Sequence, residues 1–311
     1  KSRGFFSGGL HLKSAKRRRK MAKTFEEISQ SHPCFALGLK SNKGRIHLPV
    51  SPGCNIGCRF CKRDFNDEEA RPGVARGIIS PDEAVEAIRR AVKLSPDLTV
   101  VGVAGPGDTL ATDFALETFR KVRDEFPNMI KCMSTNGLLL PEKADEIIDA
   151  QIDTLTVTVN AVDPEIQAKI NEFIIYHGNR YEGIEAARIL IENQLTGIKK
   201  VSDAGVTVKV NTVFIPEINR VHIPVVAKTV AEKGAAIYNI IPLIPQHQFS
   251  WCSAPSCADL SWARSECEKY IKVFRHCQRC RADAVGVPGG KDFSKQVYIK
   301  PVRLADTFSH G

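Results

Sequence analysis

Three cysteines stand close together in Cys54-Asn-Ile-Gly-Cys58-Arg-Phe-Cys61, a C-x3-C-x2-C run. Thiolates at this spacing can hold three irons of a 4Fe-4S cube from a single loop and leave the fourth iron open to a substrate or cofactor. A zinc site, which would want a fourth ligand, and redox thiols are the competing readings. A second group lies further on, where Cys267 is followed, after nine residues, by Cys277-Gln-Arg-Cys280. A C-x2-C pair alone is weak, since zinc knuckles share it, but beside the first run it points to a second iron-sulfur cluster. Arg275, His276, Arg279 and Arg281 would offset thiolate charge there. Cys34 and Cys132 are isolated in sequence, and a lone buried cysteine is usually a small hydrophobe. Cys252 and Cys257 flank Ser-Ala-Pro-Ser in a loop and are read as non-ligands.

Ten cysteines in 311 residues are too sparse for a small disulfide scaffold, so metal or cluster ligation in a reducing compartment explains them better. The formal net charge of +9 suggests a polyanion binder until its position is considered. Nine basic residues and no acid fall within residues 1–23, which leaves residues 24–311 with 35 of each sign. The first 23 residues read as a basic flexible tail, dispensable for cluster binding, with Met21 as a candidate native start. No apolar run approaches the roughly 18 residues of a membrane span, and no signal-peptide core is present. The expectation is a soluble, cytoplasmic protein that binds neither membrane nor nucleic acid.

These candidate ligands need a scaffold, and 43% hydrophobic residues suffice for a sizeable core. Short β-branched runs near 45–50, 98–103, 129–133, 153–159, 206–213 and 236–241 read as strands, and the longer segments between them carry helical period. Alternation of this kind predicts an α/β fold with a parallel sheet, as an open or closed barrel. One helix start is explicit: Ser80 as N-cap, Pro81 at N1 and Glu83 at N3, ahead of Ala84, Val85, Ile88 and Val92. The strand ends lead into the cysteine run, Ala104-Gly-Pro-Gly-Asp108, Ser134-Thr-Asn-Gly137, Asn160, Asn211 with Ile215-Pro216, and Pro242-Leu-Ile-Pro245. Any one of these is ordinary turn chemistry, but six at the same end of a barrel favour a site.

The C-x3-C-x2-C spacing, with Phe60 before its last cysteine, resembles the radical S-adenosylmethionine superfamily. The resemblance implies a partial TIM-like barrel of six to eight βα units, a 4Fe-4S cluster on Cys54, Cys58 and Cys61, and S-adenosylmethionine cleaved to a 5'-deoxyadenosyl radical. The ordered motifs His32-Pro-Cys34, His47-Leu-Pro-Val50, Glu69-Ala-Arg-Pro72, Ala104-Gly-Pro-Gly-Asp108, Ser134-Thr-Asn-Gly137, Thr156-Val-Thr-Val-Asn160, Val208-Lys-Val-Asn211 and His276-Cys-Gln-Arg-Cys-Arg-Ala-Asp-Ala-Val-Gly286 are similar to those of the nitrogenase cofactor maturase family NifB, in its compact form. That family joins two 4Fe-4S clusters into an 8Fe-9S core with a central carbide. One S-adenosylmethionine donates a methyl group, a second is cleaved to the radical that acts on it, and a ninth sulfur is added.

Carried over by position, the resemblance makes Cys267, Cys277 and Cys280 ligands of one substrate cluster. Cys34 and Cys132, with His47 and Glu69 as non-thiolate ligands, would hold the other. Three 4Fe-4S clusters per chain follow. Arg71 would pair with Glu69 or with cluster charge. Gly105, Gly107 and Asp108 would receive the methionine end of S-adenosylmethionine, Thr135, Asn136, Asn160 and Asn211 its polar groups, and Ile215 its adenine. Read without the resemblance, His47 is a satisfied strand histidine and Glu69 a solvated loop acid. Asn66 departs from the family, many of whose members carry a cysteine three residues before the glutamate. The implied partners are iron-sulfur donor proteins and downstream cofactor carriers or scaffolds. The implied layout is a tail at 1–23, an N-terminal segment at 24–49 with cluster ligands, a barrel at 50–245 and an extension at 246–311 with auxiliary ligands. An iron-sulfur scaffold and another radical enzyme with auxiliary clusters are the competing functions.

Overall fold

The computed structural model describes residues 23–37 and 41–299, so the expected basic tail, apart from Lys23, lies outside the described residues. Helix α1 (Phe25–Ser31) precedes β1 (Gly44–His47), after which come the short strands β2 (Ile56–Cys58), β3 (Asp64–Phe65) and β4 (Val74–Ala75). Helices and strands then alternate: α2 (Pro81–Leu94), β5 (Leu98–Val103), α3 (Phe114–Glu125), β6 (Ile130–Thr135), α4 (Leu140–Asp149), β7 (Thr154–Thr158) and α5 (Pro164–Ile170). A hairpin of β8 (Asn171–Tyr176) and β9 (Asn179–Glu182) interrupts the alternation before α6 (Gly183–Asp203). The chain continues through β10 (Thr207–Phe214), α7 (Pro216–Asn219), α8 (Ile223–Glu232), β11 (Ile237–Pro242), α9 (Cys257–Cys267), β12 (Val285–Gly286) and α10 (Ser294–Val297).

Six parallel strands stand in chain order, β1, β5, β6, β7, β10 and β11, and β12 runs antiparallel along the outer edge of β1. This is the expected α/β half-barrel, and its strands fall close to where the apolar runs predict them. The first is shorter than expected. Leu48 still donates to the Gly102 carbonyl at 2.8 Å, but Pro49 has no N–H to continue the ladder. The main core lies between sheet and helices, with Val101, Val103, Met133, Leu155, Val157, Val208 and Val210 buried against Ile88, Phe119, Ile147, Ile198 and Val226.

Helix α2 shows how locally the sequence specifies an element. The Ser80 Oγ accepts from the Glu83 N–H at 3.2 Å while the Glu83 carboxylate accepts from the Ser80 N–H at 2.8 Å. Ala84, Val85, Ala87, Ile88 and Ala91 form the buried stripe, and Val92 is only partly buried beside it. The β8–β9 hairpin was not anticipated, although its signal is in the sequence. Phe173, Ile174, Ile175 and Tyr176 lead into His177-Gly178, both at positive φ (50° and 78°), as a two-residue hairpin turn requires.

Replacing Ser80 with Ala should cost about 1 kcal/mol through loss of the reciprocal cap. Urea unfolding of the two chains should show a lower midpoint with an unchanged slope.

Candidate active site

The cysteine run leaves the end of β1 and is held from two sides. On one side β2 pairs with β8, with Ile56 opposite Ile174, Gly57 opposite Phe173 and Cys58 opposite Asn171. The approach is close enough that a Cβ on Gly57 would fall 2.6 Å from the Phe173 ring. The Asn171 amide reaches the Cys58 Sγ at 3.4 Å, and Asn136 Nδ2 lies 3.8 Å from the Cys54 Sγ while donating to Asn55 at 2.7 Å. Each of the three thiols lies within electrostatic reach of the others, and the Arg63 guanidinium interacts with all of them. Burial pushes the Cys54 thiol up to about 11 and raises Cys58 well above its ordinary value. Phe60 packs with Val213, Ile215, Leu243 and Phe249, so the last turn of the run is anchored to the ends of β10 and β11.

On the other side the glycine-rich segment grips the backbone just before Cys54. The Gly107 N–H donates to the Ser51 carbonyl and the Asp108 N–H to the Gly53 carbonyl, each at 2.8 Å. A Cβ on Gly107 would lie 1.9 Å from the Gly53 oxygen, so only glycine permits this contact. Asp108 is buried, and its carboxylate accepts from the Leu110 N–H at 2.9 Å, from the Thr135 hydroxyl at 3.0 Å and from the Asn136 N–H at 2.5 Å. Burial raises its pKa, and the donors pull it back. One carboxylate thereby ties the loop after β5 to the loop after β6.

Three of the residues expected to contact S-adenosylmethionine are also held by bonds within the chain. Asp108 and Thr135 are spent on each other, and the buried Asn160 accepts from the Val213 N–H at 2.9 Å. All three brace strand ends. Ile215 is fully buried in the cluster around Phe60 and forms a wall rather than a free surface. Gly107 and Asn136 keep a position beside the start of the cysteine run, Gly105 lies near Ala282, and Asn211 accepts from Asn239 Nδ2 at 3.0 Å on the inner face of the sheet.

Deeper in the half-barrel a second set of ligand-type residues converges. The parallel registers place His47 beside Gly102 and Gly102 beside Cys132 on three adjacent strands. Glycine between them matters, since a Cβ on Gly102 would come within 3.2 Å of the imidazole. His47 Nδ1 lies 3.0 Å from the Arg281 carbonyl, a partner that requires Nδ1–H and leaves Nε2 with its lone pair. Burial lowers the His47 pKa to about 4, so the ring is neutral. Cys34 and Cys132 pack on one apolar cluster with Ile28, Phe35, Ile237 and Phe274. Burial pushes Cys34 up to about 12, and Cys280, Cys132 and Cys277 all lie within its electrostatic reach. Cys277 accepts from Asn239 Nδ2 at 3.4 Å and Cys280 from Arg45 Nη2 at 3.2 Å.

Cys267 does not join them. Its spacing grouped it with Cys277 and Cys280, yet it ends α9 fully buried in the main apolar core, near Tyr238. Tyr238 and Asn239 are consecutive on β11, so their side chains leave opposite faces of the sheet, and Cys267 belongs to the helix side while Cys277 belongs to the interior. Glu69 is a partial match. Its carboxylate is half-buried and engaged by Arg71 at 2.7 Å and by Asn66 Nδ2 at 2.8 Å. Asn66 Oδ1 also accepts from the Glu69 N–H at 2.9 Å, a set of bonds that a cysteine in its place could not make. Arg281 donates to the carbonyls of Glu69 and Asn66, each at 2.7 Å, and pairs with the buried Asp283 at 2.8 Å. Among the described residues, no group of three His, Cys, Asp or Glu side chains closes on a single-ion site. Sequence reasoning missed Arg45, Arg63, Asn171, Lys209 and Asn239, because a polar side chain in a strand or loop gives no sign of which face it takes.

The donor set suits a cube of iron and sulfide on the cysteine run: three thiols from one loop, amide and guanidinium donors around them, and a glycine cradle beside Cys54. A curled parallel sheet with this loop at its C-terminal end defines a radical S-adenosylmethionine enzyme, and the Radical SAM superfamily profile matches residues 48–230. The FeMo cofactor biosynthesis protein NifB of Methanocaldococcus infernus is 45% identical over 281 residues, covering 90% of this chain and 92% of that protein. The protein of the same name from Methanocaldococcus jannaschii is 47% identical over 270 residues, with 86% and 89% covered. That from Bradyrhizobium diazoefficiens is 41% identical over 271 residues, covering 85% of this chain and 54% of its own length. The chain belongs to the NifB family. Among solved structures, Streptococcus suis SuiB superposes with a TM-score of 0.53 at 12% identity, covering 82% of this chain and 51% of that one. A radical SAM methyltransferase from Sphaerobacter thermophilus gives 0.52 at 18% identity, covering 74% and 65%. Both likenesses concern the fold. No helix among the described residues is long and apolar enough to cross a membrane.

Asp108→Asn should destabilise the fold by about 1–3 kcal/mol, because one amide oxygen cannot serve three donors and its NH2 group meets them head on. Thermal unfolding of the iron-free protein measures this. Iron loading on the cysteine run should fall in parallel if the joint positions that loop.

Proposed function

We propose that this chain joins two 4Fe-4S substrate clusters into the 8Fe-9S-carbide precursor of the nitrogenase cofactor. One substrate cluster is assigned to Cys34 and Cys132 with His47 Nε2, and the other to Cys277 and Cys280. A third, resident cluster on Cys54, Cys58 and Cys61 brings the total to three. The observation that carries the reading is the convergence of Cys34 with Cys132, Cys277 and Cys280 from three separate stretches of chain inside the half-barrel.

When bound, the resident cluster and S-adenosylmethionine supply methyl-group and 5'-deoxyadenosyl radical chemistry. The chain's own residues position and insulate. Phe60, Ile215 and Leu243 form an apolar wall beside the cysteine run. The Arg281 carbonyl fixes the His47 tautomer, so its Nε2 presents a neutral, displaceable ligand, which suits a cluster that must leave. Glu69 is held ready by Arg71 and Asn66, and as a ligand it would have to exchange the Arg71 contact for iron. The proposed partners are iron-sulfur donor proteins and downstream cofactor carriers or scaffolds, in the cytoplasm of a cell that keeps oxygen away.

Anaerobic incubation with S-adenosylmethionine, dithionite and a sulfur source, followed by transfer of the product to cofactor-less nitrogenase, should restore nitrogenase activity. Full S-adenosylmethionine cleavage without restoration would leave a different radical enzyme, and neither would leave a scaffold. Cys277→Ala should abolish restoration and lower bound iron from about twelve per chain to about eight. Cys267→Ala should retain the iron that Cys277→Ala loses, since its thiol stands on the other side of β11.

A further inference from the structure

Lys209 is the third residue of β10, buried at 6% exposure, and its side chain enters the interior of the half-barrel. Its ammonium donates to the Cys34 carbonyl at 3.3 Å and sits 4.9 Å from the Phe35 ring centroid and 5.6 Å from that of Phe274. These are the aromatic rings of the apolar cluster on which Cys34 and Cys132 pack. Among the described residues no carboxylate lies within ion-pairing distance of it. The charge therefore acts on what surrounds it, namely Cys34, Cys132, His32 and His47.

A buried cation with two rings, one carbonyl and no carboxylate beside it is an expensive arrangement, because these partners replace only part of the water that the ammonium has lost. Packing alone does not require it, because a methionine would fill the same apolar slot without the desolvation cost. An anion that arrives later removes the anomaly. The thiolates of Cys34 and Cys132 and the sulfides of a 4Fe-4S core bring that negative charge, and the cluster as a whole is an anion once the core takes one electron or the Glu69 carboxylate joins its ligands; net charge is one of the levers that set its potential.

We propose that Lys209 is the resident counter-charge of the Cys34/Cys132 pocket, placed to bind an anionic iron-sulfur cluster and to hold it without competing for a coordination position. This rests on the reading that Cys34 and Cys132 bind a substrate cluster. The same arrangement recurs at the other thiols. Arg63 interacts with all three cysteines of the run, and Arg45 Nη2 lies 3.2 Å from the Cys280 Sγ. A lysine suits the Cys34/Cys132 site because a compact ammonium neutralises charge without the bidentate fork of a guanidinium.

The test is anaerobic reconstitution of the full chain, with iron counted per chain and the midpoint potential of each cluster signal measured by redox titration. Lys209→Met and Lys209→Gln should both lose about four of about twelve irons, and any cluster signal that survives at this site should move to a more negative potential. Lys209→Arg, which keeps the charge, should hold more iron than either. Thermal unfolding of the iron-free Lys209→Met chain should be at least as high as that of the parent, because an apolar side chain replaces a desolvated charge. The inference is overturned if the Met and Gln variants keep about twelve irons at parental potentials, or if Arg loses iron as fully as Met. A Cys34→Ala/Cys132→Ala chain separates this from the underlying reading. If that chain retains all its iron, it is the cluster assignment that fails, whereas its loss of about four irons beside an unaffected Lys209→Met chain condemns only the role of the lysine.

Discussion

On the proposed function, negative charge in a dry interior is the constraint that organises this protein. Thiolates and sulfide cannot be buried without compensation, since an unpaired ion in a medium of low polarity costs several kcal/mol even after relaxation. Each group of cysteines is met by a cation, one local to its loop and two that the fold delivers from elsewhere in the chain. Arg63 follows the cysteine run by two residues, Arg45 comes from β1 to Cys280, and Lys209 comes from β10 to Cys34. A half-barrel suits the task because its strands present alternate side chains to one enclosed face, where Cys132, Lys209, Asn211 and Asn239 all stand.

Much of what surrounds the thiols is joinery. Asp108 knots the loops after β5 and β6, and Gly107 allows the backbone before Cys54 to be gripped at hydrogen-bond distance. Arg281 and Asp283 follow Cys280 directly, and they lock the Asn66 to Glu69 loop and meet Arg76, whose Nη1 is 3.3 Å from the Asp283 carboxylate. His47 takes its orientation from the carbonyl of the same Arg281. The antiparallel pairing of β12 with β1 carries this whole segment to the pocket. A sequence motif here therefore mixes ligands with braces, and the residues that touch iron need not outnumber those that hold the ligands still.

The same mixture explains what could be read in advance. Strands, the α2 cap and the cysteine run were legible because period, capping chemistry and ligand spacing are local properties. The β8–β9 hairpin carries a turn signal at His177-Gly178, but it lies between two segments of helical period, α5 and α6, that mask it. Spacing groups Cys267 with Cys277 and Cys280, yet spacing along the chain carries no information about which side of β11 a residue faces. Lys209 and Arg45 went unremarked for a related reason, since a charge within a strand reads as a solvated face until the neighbouring strands bury it. Asp108, Thr135 and Asn160 read as ligand contacts because loops at strand ends usually offer them, and only the hydrogen-bond pairing reveals that the Asp108 carboxylate, the Thr135 hydroxyl and the Asn160 Oδ1 also brace the strand ends.

The central claim is that three separate thiol sets, faced by three cations, hold three clusters within one half-barrel. It is tested most directly by anomalous scattering at the iron edge from crystals of the anaerobically reconstituted chain. The account predicts three centres of iron density, beside Cys54, Cys58 and Cys61, beside Cys34, Cys132 and the Lys209 ammonium, and beside Cys277 and Cys280, with none at Cys267. A single centre on the cysteine run, or density that bridges Cys267 to Cys280, would contradict it.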